Sequence, residues 1–134
     1  MNSELREILS NHRFDVAMYL LHDRRRAGKD NVPCEMTHMH DHYCAGKIDL
    51  NEVLYPRRRF EKLDFDDQLK FYCPENCSLV CSTFHHKYGH STAFREWFLK
   101  RMIRIYGLEH MQSWNNSLPL KTSRITIGDH SSHT

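Results

Sequence analysis

Apolar positions along the chain follow three patterns. From residue 3 to 27 they recur every three or four positions: Leu5, Ile8 and Leu9, then Phe14, Ala17, Met18 and Leu21. That spacing predicts a helix, capped by Ser3 and ended by Gly28, Asn31 and Pro33. Residues 91–106 repeat it more cleanly: Ser91 stands at the cap, and Phe94, Trp97, Phe98, Met102 and Ile105 form one stripe. Arg95, Glu96, Lys100, Arg101 and Arg104 lie largely elsewhere, and Gly107 ends the helix. The run 76–81, with Cys77, Leu79, Val80 and Cys81, follows the turn signal Pro74-Glu75-Asn76 and predicts a short strand. Residues 45–70 read as a long connection. In it Asp49 caps a short helical turn through Leu54, Pro56 stops that turn, and a second short helix spans Phe65 to Phe71. A further helical turn carries Leu108, Met111 and Trp114, and beyond Pro119 the polar chain is expected to be loosely held.

Residues 34–44, CEMTHMHDHYC, fit none of these patterns. His38, His40 and His42 alternate, so in a strand they share one face, with Met39 and Asp41 on the other. This segment and Phe71–His90 together hold six of the eleven histidines and all five cysteines. An odd number of cysteines grouped with histidines does not read as a secreted disulfide framework. It points to a reducing, cytoplasmic setting and to metal ligation.

At 134 residues the chain is expected to form one domain, and 40% hydrophobic with 27% charged residues reads as globular. No apolar signal-peptide core and no run long enough for a membrane span is found, so no membrane partner is expected. The net charge of +2 says little about partners, but Arg24-Arg25-Arg26 and Arg57-Arg58-Arg59 are compact basic triplets that can face phosphate or stand as solvated clusters.

The order is therefore strand, loop, strand, helix: an α+β chain with a ββα core and flanking helices. The chemistry suits phosphodiester hydrolysis. A histidine on one strand can take a proton from water, and a divalent cation held between strand and helix can stabilise the charge on phosphate.

Pro74-Glu75-Asn76-Cys77-Ser78-Leu79-Val80-Cys81, followed by Ser82-Thr83-Phe84-His85, resembles the second half of an HNH endonuclease of the ββα-metal class, and Met39-His40-Asp41-His42 resembles the first half. Tyr106 to Lys121 is similar to the tails of small phage-type members. The resemblance divides the chain into a helical segment 1–33, a nuclease core 34–106 and a tail 107–134. It implies a Mg²⁺- or Mn²⁺-dependent enzyme that cuts or nicks DNA, expected to be double-stranded. Asp41 would hold the catalytic cation, His42 would be the general base, Asn76 would orient that base, and His85 would be the second cation ligand. His40 is the alternative base. At the helix end, His86 with His90 is the alternative cation pair.

Many family members carry a structural zinc in two C-x-x-C pairs, and this chain has none; Phe84 stands where the last cysteine would be. Cys34-x3-His38 and Cys81-x3-His85 offer a Cys₂His₂ zinc site instead, and Cys73-x3-Cys77 offers another pair. The competing expectation is a non-catalytic zinc-binding module for nucleic acid or protein.

Overall fold

Ile48-Asp49-Leu50-Asn51-Glu52 alternates apolar and polar residues, and it forms a strand, β1 (Ile48–Glu52). It pairs antiparallel with β2 (Cys77–Cys81) in a two-stranded sheet, with Ile48 opposite Cys81, Leu50 opposite Leu79 and Glu52 opposite Cys77. The helical turn expected from Asp49 to Leu54 is thus a strand. The period-two pattern dominates because each alternate side chain finds a partner across the ladder. The computed structural model describes residues 2–27, 34–35, 47–82 and 87–128, with the side chains of 24–27 outside that description.

The helix α1 (Ser3–Ala27) has the predicted extent. Its first turn is capped by Asn2 rather than Ser3: Asn2 Oδ1 accepts from Leu5 N at 2.8 Å. Its buried face also differs from expectation. Val16 and Leu20 enter the core, flanked by Leu9, Ala17 and Leu21, while Phe14 and Met18 stand 64% and 47% exposed. The reason is polar: His12 and Arg13 lie on the sheet-facing ridge and bond there. His12 Nε2 meets the Tyr72 carbonyl at 3.0 Å, and Arg13 Nη2 donates to Leu50 O at 3.4 Å.

The connection from β1 to β2 carries a 3₁₀ turn (Arg57–Arg59) and α2 (Phe65–Leu69). It folds back on itself through aromatic packing. Phe60 stacks on Phe71 with ring centroids 4.6 Å apart, and Tyr55 meets Phe71 edge-on at 5.6 Å. After β2, α3 (Thr92–Tyr106) starts as predicted, with Ser91 Oγ accepting from Phe94 N at 3.1 Å. Phe94, Phe98 and Met102, one turn apart, are fully buried. Gly107 separates α3 from α4 (Leu108–Ser117), and its φ of 95° lies where a side chain would be strained.

Beyond Pro119 the chain is anchored at least as far as Ile127, contrary to expectation. Asn115 Nδ2 donates to Ile125 O at 2.8 Å, Gln112 Nε2 to Ile127 O at 2.9 Å, and Ile127 is buried. One buried cluster joins α1, the sheet, α3 and this C-terminal strap. The architecture is α+β. Among the described residues, no helix is long and apolar enough to cross a membrane.

Candidate functional site

Asn76 closes the turn before β2 and is fully buried. Its Nδ2 donates to Tyr55 O at 3.0 Å and Phe71 O at 2.9 Å, and its Oδ1 accepts from Tyr55 N at 2.7 Å. Its own carbonyl accepts from Val53 N at 2.7 Å. Every one of these bonds to residues 53–55 fixes the chain as it leaves β1. Asn76 therefore braces the C-terminal end of β1, the position of Asn51 and Glu52.

Neither of those residues was singled out by sequence reasoning, and both carry unusual polar atoms. Asn51 Nδ2 donates to Gly89 O at 2.8 Å, just ahead of α3, which fixes the amide plane. Its Oδ1 is buried without a hydrogen-bond partner, as is Oγ of Ser78, the residue directly opposite on β2. Glu52 Oε1 is likewise buried and not hydrogen-bonded. Arg13 and Arg57 stand 3.8 and 4.0 Å from it, within ion-pair range but beyond hydrogen-bond distance. Leaving such a group unpaired costs about 1–3 kcal/mol. Asn51 and Ser78 share one face of the sheet, whereas Glu52, the next residue along β1, projects from the other, so Asn51 Oδ1 and Ser78 Oγ are the pair that a water or bound group would complete. The sequence carries no signal for Asn51 and Glu52, because an acid and an amide at a strand end become unusual only when buried.

Tyr72 adjoins Glu52. Arg57 hydrogen-bonds its hydroxyl, and burial, then the Glu52 charge, hold that hydroxyl above the ordinary phenol range. It remains a proton donor at neutral pH. Arg57 therefore sits in a network with Glu52 and Tyr72. Arg59 points elsewhere, donating to Ser123 O and lying over the Tyr55 ring at 5.4 Å. Arg58 is exposed.

The cysteines fall into two environments. Cys34 and Cys81 are both buried, and Cys34 Sγ accepts from Cys81 N at 3.3 Å. Beside them, Glu35 Oε1 accepts from Leu79 N at 3.1 Å while its Oε2 takes Arg101 Nη1 at 2.6 Å. Side chains of 34–35 thus satisfy the outer edge of β2 in place of a third strand's carbonyls. Cys77 donates toward Phe71 O at 3.7 Å, and the Cys73 thiol is pushed up to about 12, chiefly by burial and then by Glu75. Cys73 lies in the turn beside Asn76, and Cys77 opens β2.

The structure thus brings Cys34 to Cys81 and places Asn76 behind β1. His90 is exposed in the turn before α3. The expected strand over 34–44 can be judged only at Cys34 and Glu35, neither of which is in a strand. His38, His40, Asp41, His42, His85 and His86 lie outside the described residues, as do the side chains of Arg24, Arg25 and Arg26. Among the described residues, no three His, Cys, Asp or Glu side chains gather closely enough to hold a metal ion. Comparison with protein-family models, curated proteins and solved structures finds no match to this chain.

Proposed function

We propose that the protein is a metal-dependent endonuclease of the HNH type that hydrolyses DNA phosphodiester bonds. The observation that carries this reading is the bracing of the end of β1 by a buried asparagine in the turn before β2, with α3 following β2. An asparagine that fixes a backbone segment can hold a base in line without taking part in proton transfer, and the segment that Asn76 fixes is 53–55. The orphan oxygens of Asn51 and Ser78, opposite each other on one face of the sheet near that end, add support.

In this reading Asp41 and one of His85, His86 or His90 would hold a Mg²⁺ or Mn²⁺ ion, which when bound supplies charge stabilisation at the phosphate. His42 or His40 would take the proton from water. Glu52, a buried carboxylate at the braced strand end, is proposed as a further acidic group.

The test is nicking of supercoiled plasmid with Mg²⁺ or Mn²⁺, an EDTA control, and the variants His42→Ala, His40→Ala and Glu52→Gln. EDTA-sensitive nicking that His42→Ala or His40→Ala abolishes is expected. Absence of nicking with every metal sinks the proposal. Nicking lost in Glu52→Gln yet retained in both histidine variants moves the base from 40–42 to the end of β1.

One observation favours a second reading, a zinc-binding nucleic-acid module without catalysis: the contact of Cys34 with Cys81. Cys34 and Cys81 come from remote segments and meet at the edge of β2, as two ligands of one zinc would. Cys34, His38, Cys81 and His85 would then be the four ligands. This zinc is compatible with the nuclease as well, and only the nicking assay separates the two.

A further inference from the structure

The 3₁₀ turn and the C-terminal strap are far apart in sequence but are tied together. Arg59 donates to Ser123 O. Arg124 Nε donates to Asn115 O at 2.9 Å and its Nη2 to Leu118 O. Tyr55 binds both sides, since its hydroxyl accepts from Ile125 N at 2.9 Å. Arg59 and Arg124 both act on that hydroxyl through their charge, so two guanidiniums converge on one tyrosine. Arg58 and Lys121 stand exposed on the same two segments.

Neutral carbonyls hold Arg59 and Arg124 in place without cancelling their charge. Among the described residues, no carboxylate lies within ion-pair distance of Arg58, Arg59, Lys121 or Arg124. Arg57 differs, because Glu52 and Glu61 both act on it. Bringing like charges together without a counter-charge is unfavourable, and a polyanion laid across them relieves it. The net charge is only +2, so this is a local field and not a property of the whole chain.

Exposed apolar residues distinguish among polyanions. The exposed large hydrophobics lie on α1 and at Ile48 and Tyr88, with none on 57–62 or 118–128. A membrane-surface site needs apolar insertion, and a protein interface usually has an apolar or aromatic centre. A surface of four cations, two of them held by backbone carbonyls, suits phosphates.

We infer that the 3₁₀ turn and the C-terminal strap form one docking surface for the phosphodiester backbone of nucleic acid, carried by Arg58, Arg59, Lys121 and Arg124, with Arg57 outside it. The inference rests on the nucleic-acid reading above and extends it to a surface that only the folded strap assembles.

Binding of a short fluorescein-labelled duplex is followed by anisotropy in EDTA, where cleavage does not interfere, at salt concentrations from about 50 to 200 mM. Four phosphate contacts give a slope of log K against log[salt] of about −3.5. The Arg58→Gln/Lys121→Gln double variant, altered only at exposed positions, is expected to bind more weakly and to reduce the slope by about 2. Arg57→Gln is expected to leave the slope unchanged. An unchanged slope in the double variant, or a duplex affinity with no salt dependence, overturns the surface. So does binding of anionic vesicles (phosphatidylserine in phosphatidylcholine) in place of duplex. Nicking without this salt signature removes the surface and leaves the nuclease, whereas the signature without nicking does the reverse.

Discussion

The side chain of Asn76 is bonded to both backbone polar groups of Tyr55, accepting from its N–H at 2.7 Å and donating to its carbonyl at 3.0 Å. A third bond, to Phe71 O, saturates the amide. An asparagine is the residue that can do this, because it offers an acceptor and two donors in one plane. Asn76→Ala leaves the buried N–H and carbonyl of Tyr55 unpaired, each costing about 1–3 kcal/mol, and leaves Phe71 O with only the weak Cys77 thiol; the expected loss is about 3 kcal/mol by denaturant melts. Asn76→Asp keeps the shape but turns the donors toward two carbonyls into acceptors, so it should destabilise at least as much at neutral pH. An Asp variant as stable as wild type would show that the amide does not brace the strand end.

Tyr55 carries the next link, because its hydroxyl donates to Asn115 Oδ1 and accepts from Ile125 N. Tyr55→Phe removes both bonds and leaves the buried Asn115 Oδ1 and the partly buried Ile125 N without them, at an expected cost of about 2 kcal/mol. The loss should be local. Limited proteolysis is expected to cut the strap around Ser123–Ile125 before any site in α3, and the duplex salt slope should shrink along with it. Equal protease resistance in wild type and variant would place the strap's hold elsewhere.

How far the sequence foretold this arrangement depends on where each signal resides. α3 was legible because everything that makes it is local: the Ser91 cap, the stripe through Phe94, Phe98 and Met102, and the Gly107 stop. β2 was legible from its turn and apolar run. β1 was misread, since the Asp49 capping signal is local while the strand depends on pairing with β2 across the whole 53–76 connection. The anchoring of the strap was hidden for the same reason, its partners Tyr55, Arg59 and Asn115 being remote or individually ordinary. The buried face of α1 turned on His12 and Arg13, whose polar tips bond to the sheet segment, and a hydrophobic count gives such residues no weight. Of the expected site, Cys34 is found beside Cys81, and Asn76 is found bonded to 53–55, while the roles expected of them stay proposals. Glu52 and Asn51 were overlooked because only burial makes an acid and an amide at a strand end unusual.

The zinc reading makes a claim that separates the two cysteine environments. Protein purified without chelator should carry about one zinc per chain, and Cys34→Ser and Cys81→Ser should each lose it. Cys73→Ser should retain it, because that thiol lies in the turn beside Asn76 and not at the edge of β2. Removal of zinc by a strong chelator should lower the melting temperature, since a metal held by ligands from remote segments contributes directly to folding. Zinc retained equally in all three variants, or absent from wild type, rules out the Cys34–Cys81 site.

Cys73 also sets an alkaline limit on stability. Burial, then the Glu75 charge, pushes its thiol from the ordinary 9.0 up to about 12. Below pH 9 the thiol is protonated in both folded and unfolded chains, so pH has no leverage through it. Above pH 9 the unfolded chain releases a proton that the folded chain keeps, and this favours unfolding. Stability is therefore full below the unfolded value and falls as pH rises toward 12, by up to about 1.4 kcal/mol per pH unit from this group. The buried hydroxyls of Tyr55 and Tyr72, also raised from 10.0, add to the fall above that value. Urea melts between pH 8 and 10 should show the decline in wild type and a shallower one in Cys73→Ser, whose hydroxyl does not titrate. The slope is the readout, so a general loss of stability in the variant does not obscure it. Identical slopes would assign the alkaline sensitivity to other groups.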